Sequence, residues 1–182
     1  MTQRKAQTGS IRILFSEAVI AARVEALAGE ITRTIPGDFV MVGLLKGAAV
    51  FVADLARALD RAGARPEIEF IRLSSYGLTK QSGGDVHLLA DIPTDIAGRR
   101  TLLIDDIVDT GRSIAYAAAQ LRRRGVGGLW TCVLLDKQQR REIAVAIDFV
   151  GFRIGDVFVA GYGIDYAEKY RHCLTSAPLG QI

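Results

Sequence analysis

The alternation of short apolar segments with amphipathic ones is the feature that most constrains the fold. Apolar runs of strand length lie at 39–45, 68–73, 101–104, 129–135, 147–150 and 157–160. Between them, apolar residues recur at helical spacing after Ser16, from Ala48 to Leu59 and from Ser113 to Arg124. Strands that alternate with helices predict an α/β fold with a mostly parallel sheet and helices on both faces. Ligands of such sheets bind at the carboxyl ends of the strands.

Length and composition indicate one ordinary globular domain. The chain has 182 residues, of which 49% are hydrophobic and 24% charged, so intrinsic disorder is excluded. Two cysteines are too few for a disulfide scaffold or a zinc ribbon. The N-terminus lacks an apolar signal region, and no apolar run is long enough to span a membrane. We expect a cytoplasmic protein with no membrane partner, a tail over 1–15 that need not be ordered, and a single domain over 16–182.

The mildly basic charge is a weak indication of nucleic-acid binding. The net charge is +3, and the densest basic run is Arg122–Arg124. We interpret this run as the last turn of a helix, where cations complement the helix dipole and Gly125 follows as a cap. The other use of positive charge is to receive a small polyanion, and we expect no nucleic-acid partner.

The run Leu103–Ser113 carries the strongest chemical signal. Asp105 and Asp106 end an apolar strand, Asp109 follows, and a Thr-Gly-x-Ser turn then opens a helix. Free backbone N–H groups at a helix N-terminus, with nearby hydroxyls, can bind phosphate. Carboxylates beside a phosphate would instead serve sugar hydroxyls, a cation or a proton. A helix N-cap at Asp109 with solvated acids before it is the structural alternative.

A long polar segment from Ser74 to Asp91 interrupts the pattern. It contains Gly77, Gly83 and Gly84 and few apolar anchors. We predict a mobile loop or a loose hairpin, and long loops of this kind are usually functional.

Five segments together resemble one enzyme family. The run at 103–113 resembles the 5-phosphoribosyl pyrophosphate (PRPP) motif of the type I phosphoribosyltransferases. Four more resemble the hypoxanthine-guanine branch, in family order: 44–47, 74–77, 134–137 and 158–171. The resemblance covers nearly everything from Ser16 to Leu174. It implies the type I phosphoribosyltransferase fold, a mostly parallel central sheet flanked by helices with a small hood from the chain ends, and a homodimer or homotetramer.

The resemblance implies Mg²⁺-dependent transfer of the 5-phosphoribosyl group from PRPP to hypoxanthine and guanine, giving IMP or GMP plus pyrophosphate. Asp109 corresponds to the general base that accepts the purine N7 proton, and Asp105, Asp106 and Asp165 to metal-linked acids. The family usually has Glu-Asp where this chain has Asp105-Asp106, which puts the direct contact of Asp105 in question. The implied PRPP and phosphate site consists of Asp105, Asp106, Ile107, Val108, Asp109, Thr110, Gly111, Arg112 and Ser113.

The same resemblance implies where the leaving group binds. Lys46, Gly47 and Arg171 correspond to the pyrophosphate site, with a peptide before Lys46 that is commonly cis. Gly47 permits close approach of an anion, and the guanidinium fork of Arg171 suits a phosphate. The loop around Ser75 and Tyr76 would close over the site and exclude water.

The purine site is implied at Lys137, Phe158, Val159 and Asp165. Lys137 would donate to the exocyclic O6, which accepts oxopurines and mismatches the amino group of adenine. Phe158 would stack on the base, although the residue taken alone favours a core position. The Val159 backbone would bind the N1/N2 edge.

Two alternatives stay open at this point. One is a preference for xanthine, which side-chain identity does not decide. The other is a PRPP-sensing regulator on the same fold that binds RNA or DNA through a basic face.

Overall fold

The computed structural model describes residues 13–75, 86–175 and 177–178. Its helices and strands follow in chain order as α1 (Glu17–Thr34), β1 (Val40–Leu45), α2 (Ala49–Arg61), β2 (Glu67–Ser75), β3 (Val86–Ala90), β4 (Arg100–Val108), α3 (Arg112–Arg123), β5 (Gly128–Asp136), a 3₁₀ helix (Gln138–Arg140), β6 (Phe149–Arg153), β7 (Val159–Ala160) and β8 (Ala177–Pro178).

Six strands form one mostly parallel sheet in the order β3-β2-β1-β4-β5-β6. Strands β2, β1, β4, β5 and β6 pair in parallel, and only β3 at the edge runs antiparallel. This confirms the predicted sheet. The apolar run at 157–160 is different, because only Val159–Ala160 is a strand and it pairs with β8 outside the main sheet. The strand of the C-terminal segment therefore does not belong to the main sheet, although Val159 and Ile164 pack into its core.

Both faces of the sheet are buried under helices. Successive side chains of a strand point to opposite faces, so apolar runs such as those of β1 and β4 fill a core on each side. Met41 of β1 and Leu102 of β4 pack with α1 and α2 in one apolar cluster. Val42 and Leu103, their neighbours in sequence, point to the other face and pack with α3. The helices on both faces were predicted correctly.

The helix ends show how the chain enters and leaves the sheet. Ser16 caps α1, and its Oγ accepts a hydrogen bond from Val19 N at 3.4 Å. Gly111, with φ of 86°, caps α3 without a side-chain bond, so the N-cap alternative at Asp109 is wrong. Arg122 and Arg123 lie in the last turn of α3, and Gly125 follows with φ of 74°, as predicted.

Two predicted boundaries move. The segment from Ser74, predicted as a mobile loop or a loose hairpin, includes a hairpin, because β2 runs to Ser75 and β3 pairs with it. Residues 76–85 lie outside the described part of the chain, and so do residues 1–12 of the predicted tail. Phe15, placed in the tail by the sequence, stacks on Phe152 at 4.0 Å between ring centroids.

Candidate active site

The predicted site residues lie at the carboxyl ends of adjacent strands. Strands β1, β4 and β5 are neighbours in the sheet, so Lys46, Asp106 and Lys137 follow or end strands at the same edge. A cleft of about 250 Å³ opens there. Its lining comprises Leu44, Leu45, Gly47, Leu73, Asp105, Asp106, Ile107, Ser113, Asp165 and Arg171.

Two adjacent carboxyl groups form the floor of this cleft. Strand β4 continues through them to Val108, so Asp105 is held in the sheet and is only 8% exposed. Its Oδ1 accepts a hydrogen bond from the backbone N–H of Asp106 at 3.0 Å. Burial, reinforced by the charge of Asp106, raises the pKa of Asp105 well above its ordinary value. The pKa of Asp106 is also raised by burial, while hydrogen bonds with Asp105 and the backbone, and to a smaller extent the charge of Arg171, oppose that rise. The pair therefore favours a proton or a cation.

The turn that follows β4 is shaped for an anion. A small cleft of about 80 Å³ is bounded by residues 107–111 and opens at the N-terminus of α3. The backbone N–H of Arg112 lies 3.4 Å from Thr110 Oγ1. Gly111 has φ of 86°, and a Cβ there would lie 2.8 Å from the carbonyl oxygen of Ile143. Glycine is required both for the conformation and for the close packing.

The segment 137–147 covers this turn through backbone hydrogen bonds. Lys137 N donates to Val108 O at 3.0 Å. Thr110 O accepts from Glu142 N at 3.0 Å and from Ile143 N at 3.1 Å. The residue after β5 and the phosphate turn after β4 are thus fixed to one another.

Asp109 faces a cation that the sequence did not reveal. Arg140 Nε lies 2.8 Å from Asp109 Oδ1. Arg140 belongs to none of the segments that carry the family resemblance. An arginine in a charged run after a strand gives no signal of its partner, so this pair required the structure.

Both cationic side chains that were predicted to bind pyrophosphate pair with carboxylates. The peptide between Leu45 and Lys46 is cis, as the family resemblance implied. Lys46 Nζ lies 2.9 Å from Glu168 Oε2. Arg171 Nη2 lies 2.5 Å from Asp165 Oδ1, and its Nη1 donates to Gly163 O at 2.8 Å. Arg171 Nε is buried and makes no hydrogen bond in the described part of the chain.

Glu168 is a second residue that the sequence interpretation missed. It lies inside the segment 158–171 that was matched as a whole, but nothing assigned it a role. Its φ is 61°, and Ala167 and Tyr170 also have positive φ. Non-glycine residues rarely adopt this conformation, so the turn is an unusual one at the mouth of the cleft.

Of the predicted purine residues, Asp165 lines the cleft of about 250 Å³, whereas Lys137, Phe158 and Val159 are not among its lining residues. Lys137 and Val159 are buried, at 6% and 3% exposure. Phe158 is 54% exposed, so the alternative of a core position is wrong for this ring. The rings of Phe158 and Tyr166 meet edge to face, with their centroids 5.6 Å apart. The exposed face of Phe158 is available to a flat ligand.

A larger cleft, of about 500 Å³, lies beyond Asp136, between the segment 138–147 and β6. Arg141, which pairs with the buried Asp136, and Arg153 are among its lining residues. None of the acidic strand end, the phosphate turn or the cis peptide borders it. The predicted phosphate-binding residues at the end of β4 and in the turn after it therefore line the smaller clefts and not this one.

Within the described ranges, no group of three or more His, Cys, Asp or Glu side chains is arranged to hold a metal ion by itself. None of the helices in the same ranges is both long and apolar enough to cross a membrane.

Taken together, an acidic strand end, an anion-binding turn and facing cations define a domain that binds a phosphorylated ligand at the edge of a parallel sheet. The model of the phosphoribosyl transferase domain family matches residues 13–167. The chain belongs to this family, and the resemblance seen in its sequence motifs is confirmed.

Individual relatives are similar over nearly the whole chain. Hypoxanthine phosphoribosyltransferase of Escherichia coli (strain K12) is 40% identical over 166 residues, covering 90% of this chain and 92% of the relative. Hypoxanthine-guanine phosphoribosyltransferase of Aquifex aeolicus is 42% identical over 164 residues, covering 89% and 90%.

Solved structures agree with these relatives. A hypoxanthine-guanine phosphoribosyltransferase from Bacillus anthracis superimposes with a TM-score of 0.87 at 36% identity, covering 94% of this chain and 100% of that one. The hypoxanthine phosphoribosyltransferase of Trypanosoma cruzi, in complex with the product IMP, gives a TM-score of 0.86 at 35% identity and covers 98% of both chains.

Proposed function

We propose that this protein is a purine-salvage enzyme. It transfers the 5-phosphoribosyl group from PRPP to hypoxanthine and guanine, giving IMP or GMP and pyrophosphate. One observation carries the proposal: the Asp105-Asp106 pair with its phosphate turn ends β4, and Lys137 follows the neighbouring strand β5. A sugar phosphate and a base would thus meet at one sheet edge.

PRPP binds along the end of β4 and the turn after it. The 5-phosphate accepts hydrogen bonds from backbone N–H groups of the turn that joins β4 to α3 and of the first residues of α3. The ribose hydroxyls bind to Asp105 and Asp106. The small cleft of about 80 Å³, which Asp105 and the turn after β4 line, supports this placement, and Asp106 lines the neighbouring cleft of about 250 Å³.

The acidic pair also fits a magnesium ion. Carboxylate oxygens are hard ligands, and the pKa values of Asp105 and Asp106 are raised chiefly because the two groups are buried, so a cation bound there would stabilise their charged forms. Asp105, Asp106 and Asp165 would hold Mg²⁺ together with oxygens of PRPP. When bound, the ion supplies positive charge that offsets the charge of the pyrophosphate leaving group.

Pyrophosphate binds to Lys46, the backbone at Gly47 and Arg171. Lys46 pairs with Glu168 and Arg171 pairs with Asp165, so pyrophosphate would replace these two carboxylates as the partner of the cations. Ser75 ends β2, of which Leu73 lines the cleft, and Tyr76 lies outside the described residues. The loop that begins at Ser75 would exclude water from the oxocarbenium-like transition state.

The base binds between Phe158 and Lys137. Phe158 stacks on the purine, the Val159 backbone binds its N1/N2 edge, and Asp165 lies near that edge. The ammonium of Lys137 donates to O6, and it has no acceptor for the amino group of adenine. Asp109 accepts the N7 proton as general base.

We also propose a cytoplasmic homodimer or homotetramer that does not bind nucleic acid. Arg124, the last residue of the basic run, is already paired with Asp91 and with the carbonyl of Ile92. A gel shift with RNA and DNA over a range of salt concentrations tests the regulator alternative. Salt-sensitive binding without catalysis would favour that alternative.

The direct test offers PRPP and Mg²⁺ with hypoxanthine, guanine, xanthine or adenine, one base at a time. Chromatography then detects the nucleotide. Product from hypoxanthine or guanine and none from adenine supports the proposal, whereas product from xanthine alone would replace it with the xanthine preference. A folded sample that binds PRPP but forms no nucleotide would contradict an enzyme of this specificity.

A further inference from the structure

Arg140 contacts two carboxylates, those of Asp109 and Asp156, which belong to different segments of the chain. Its Nε lies 2.8 Å from Asp109 Oδ1, and its Nη1 donates to Asp156 Oδ1 at 3.4 Å. Asp109 follows β4, whereas Asp156 lies in the loop that leads to Phe158. One side chain therefore spans the region between the proposed general base and the loop of the stacking ring.

The backbone of Arg140 is fixed close to Lys137, the proposed base-binding lysine. It ends the 3₁₀ helix that begins directly after Lys137, and its N–H donates to Lys137 O at 3.1 Å. The residue that would bind O6 and the residue that holds Asp109 are thus one turn apart. A movement of this turn would displace both.

The contact with Asp109 has an uncommon geometry. Asp109 Oδ1 is buried and accepts no hydrogen bond from the described residues, although Arg140 Nε is 2.8 Å away. The guanidinium is close enough to offset the charge of the carboxylate, but its N–H is not aimed along a lone pair. The attraction between the two charges therefore holds this carboxylate oxygen in place without a hydrogen bond of good geometry.

We propose that Arg140 is a positioning residue, which holds the Asp109 carboxylate towards the purine N7 and ties it to the loop of Phe158. The proposal rests on the proposed function of Asp109 and adds a residue that the family resemblance did not supply. Arg140 does not contact the reacting atoms in this interpretation. It acts through Asp109 and through Asp156.

Steady-state kinetics of Arg140→Gln, Asp109→Asn and the double variant test this role. We expect R140Q to lower kcat about tenfold and to raise KM for hypoxanthine, because a misplaced catalytic group loses rate steeply. KM for PRPP should change by less than about twofold, since none of the PRPP contacts is removed. D109N should lower kcat by about 10²-fold to 10⁴-fold, as expected for loss of a general base.

The double variant separates a positioning role from a general structural one. If Arg140 acts through Asp109, R140Q added to D109N lowers kcat by less than about twofold further. Equal effects of R140Q in both backgrounds would overturn the proposal. Arg140→Lys keeps one cation but cannot reach two carboxylates, so it should restore part of kcat and leave KM for hypoxanthine raised.

Arg65→Gln is the matched control. Arg65 also forms an exposed pair, with Asp60 at 3.4 Å, and it follows α2 away from the cleft. Its kinetics should equal those of the unchanged enzyme. An unchanged enzyme that forms no nucleotide would refute the proposed function, whereas an active enzyme in which R140Q has normal kcat and KM would refute only the role of Arg140.

Discussion

The carboxylate of Asp106 fills the space that a side chain would need at Gly47. An ideal Cβ built on Gly47 would lie 1.9 Å from Asp106 Oδ2 and 2.5 Å from its Cγ. Real atoms do not approach so closely, so any other residue at 47 must displace the carboxylate or the loop after β1. The position of the Asp106 carboxylate therefore depends on residue 47 having no side chain.

Gly47→Ala should therefore damage the site without a general loss of folding. We expect kcat/KM for PRPP to fall by about 10²-fold, because Asp106 is forced out of position. Gly155→Ala is the matched control, since a Cβ at that glycine meets nothing within 4 Å. Circular dichroism and kinetics of both variants check this, and equal activities would contradict it.

Asp105→Asn should stabilise the protein while it weakens substrate binding. The folded-state pKa of Asp105 is raised, so its favourable contribution is complete below the unfolded-state pKa of about 3.9 and is lost as pH rises through the raised value. At pH 7 we expect D105N to increase the free energy of unfolding by about 1 kcal/mol, or 2–4 °C in Tm.

That difference should shrink as the pH is lowered towards 4, where the carboxyl group is neutral in both states. Unfolding curves between pH 4 and pH 8, without Mg²⁺, measure it. A variant that is less stable than the original chain at pH 7 would show that burial does not dominate at Asp105.

Lys137→Ala should weaken discrimination between bases. The lysine is buried at 6% exposure, and its ammonium is the proposed donor to O6. We expect KM for hypoxanthine to rise at least about tenfold, the usual scale for losing a charged hydrogen bond, with a smaller change for adenine. KM for PRPP serves as the internal reference, and unchanged kinetics with both bases would remove Lys137 from the site.

Glu168→Gln should strengthen the binding of pyrophosphate. Glu168 pairs with Lys46 in an exposed contact, with 68% of the glutamate side chain and 51% of the lysine side chain exposed, so the pair itself contributes about 0–1 kcal/mol. Freed from it, Lys46 should bind pyrophosphate about 2–5 times more tightly, within that same energy range. Calorimetric titration with magnesium pyrophosphate measures the change.

Glu67→Gln provides the comparison for that experiment. Glu67 forms an exposed pair with Arg99 at the opposite end of β2 from the site. It should leave pyrophosphate affinity unchanged. Weaker binding in E168Q would mean that Glu168 supports the site rather than competing for Lys46.

The main sheet was predictable because buried parallel strands read as apolar runs in the sequence. The end of β4 was not, since two aspartates look like a loop when strand membership is judged by hydrophobicity. Pairing of β4 with β5 continues to Val108 and Asp136, so backbone hydrogen bonds to the neighbour decide where the strand ends. The run at 157–160 shows the converse, because an apolar run does not specify which sheet it joins.

The candidate site was predictable where its residues fall within contiguous motifs. The phosphate turn and the cis peptide are examples, and the cap of α3 at Gly111 instead of Asp109 is a local exception. The pairs of Arg140 with Asp109 and of Glu168 with Lys46 join residues 31 and 122 positions apart. Such pairs cannot be recognised from sequence spacing, because only tertiary packing brings their charges together.

The order of the strands also has a consequence for how the chain folds. Strand β1 pairs with β4, and the register joins Val40 to Thr101, so the central ladder cannot form until more than 60 residues of later chain are available. Contacts between residues this distant in sequence form slowly, because the entropy of closing the loop precedes the gain from pairing. During synthesis, the helices α1 and α2 would therefore wait on an incomplete sheet, with their apolar faces exposed to chaperones.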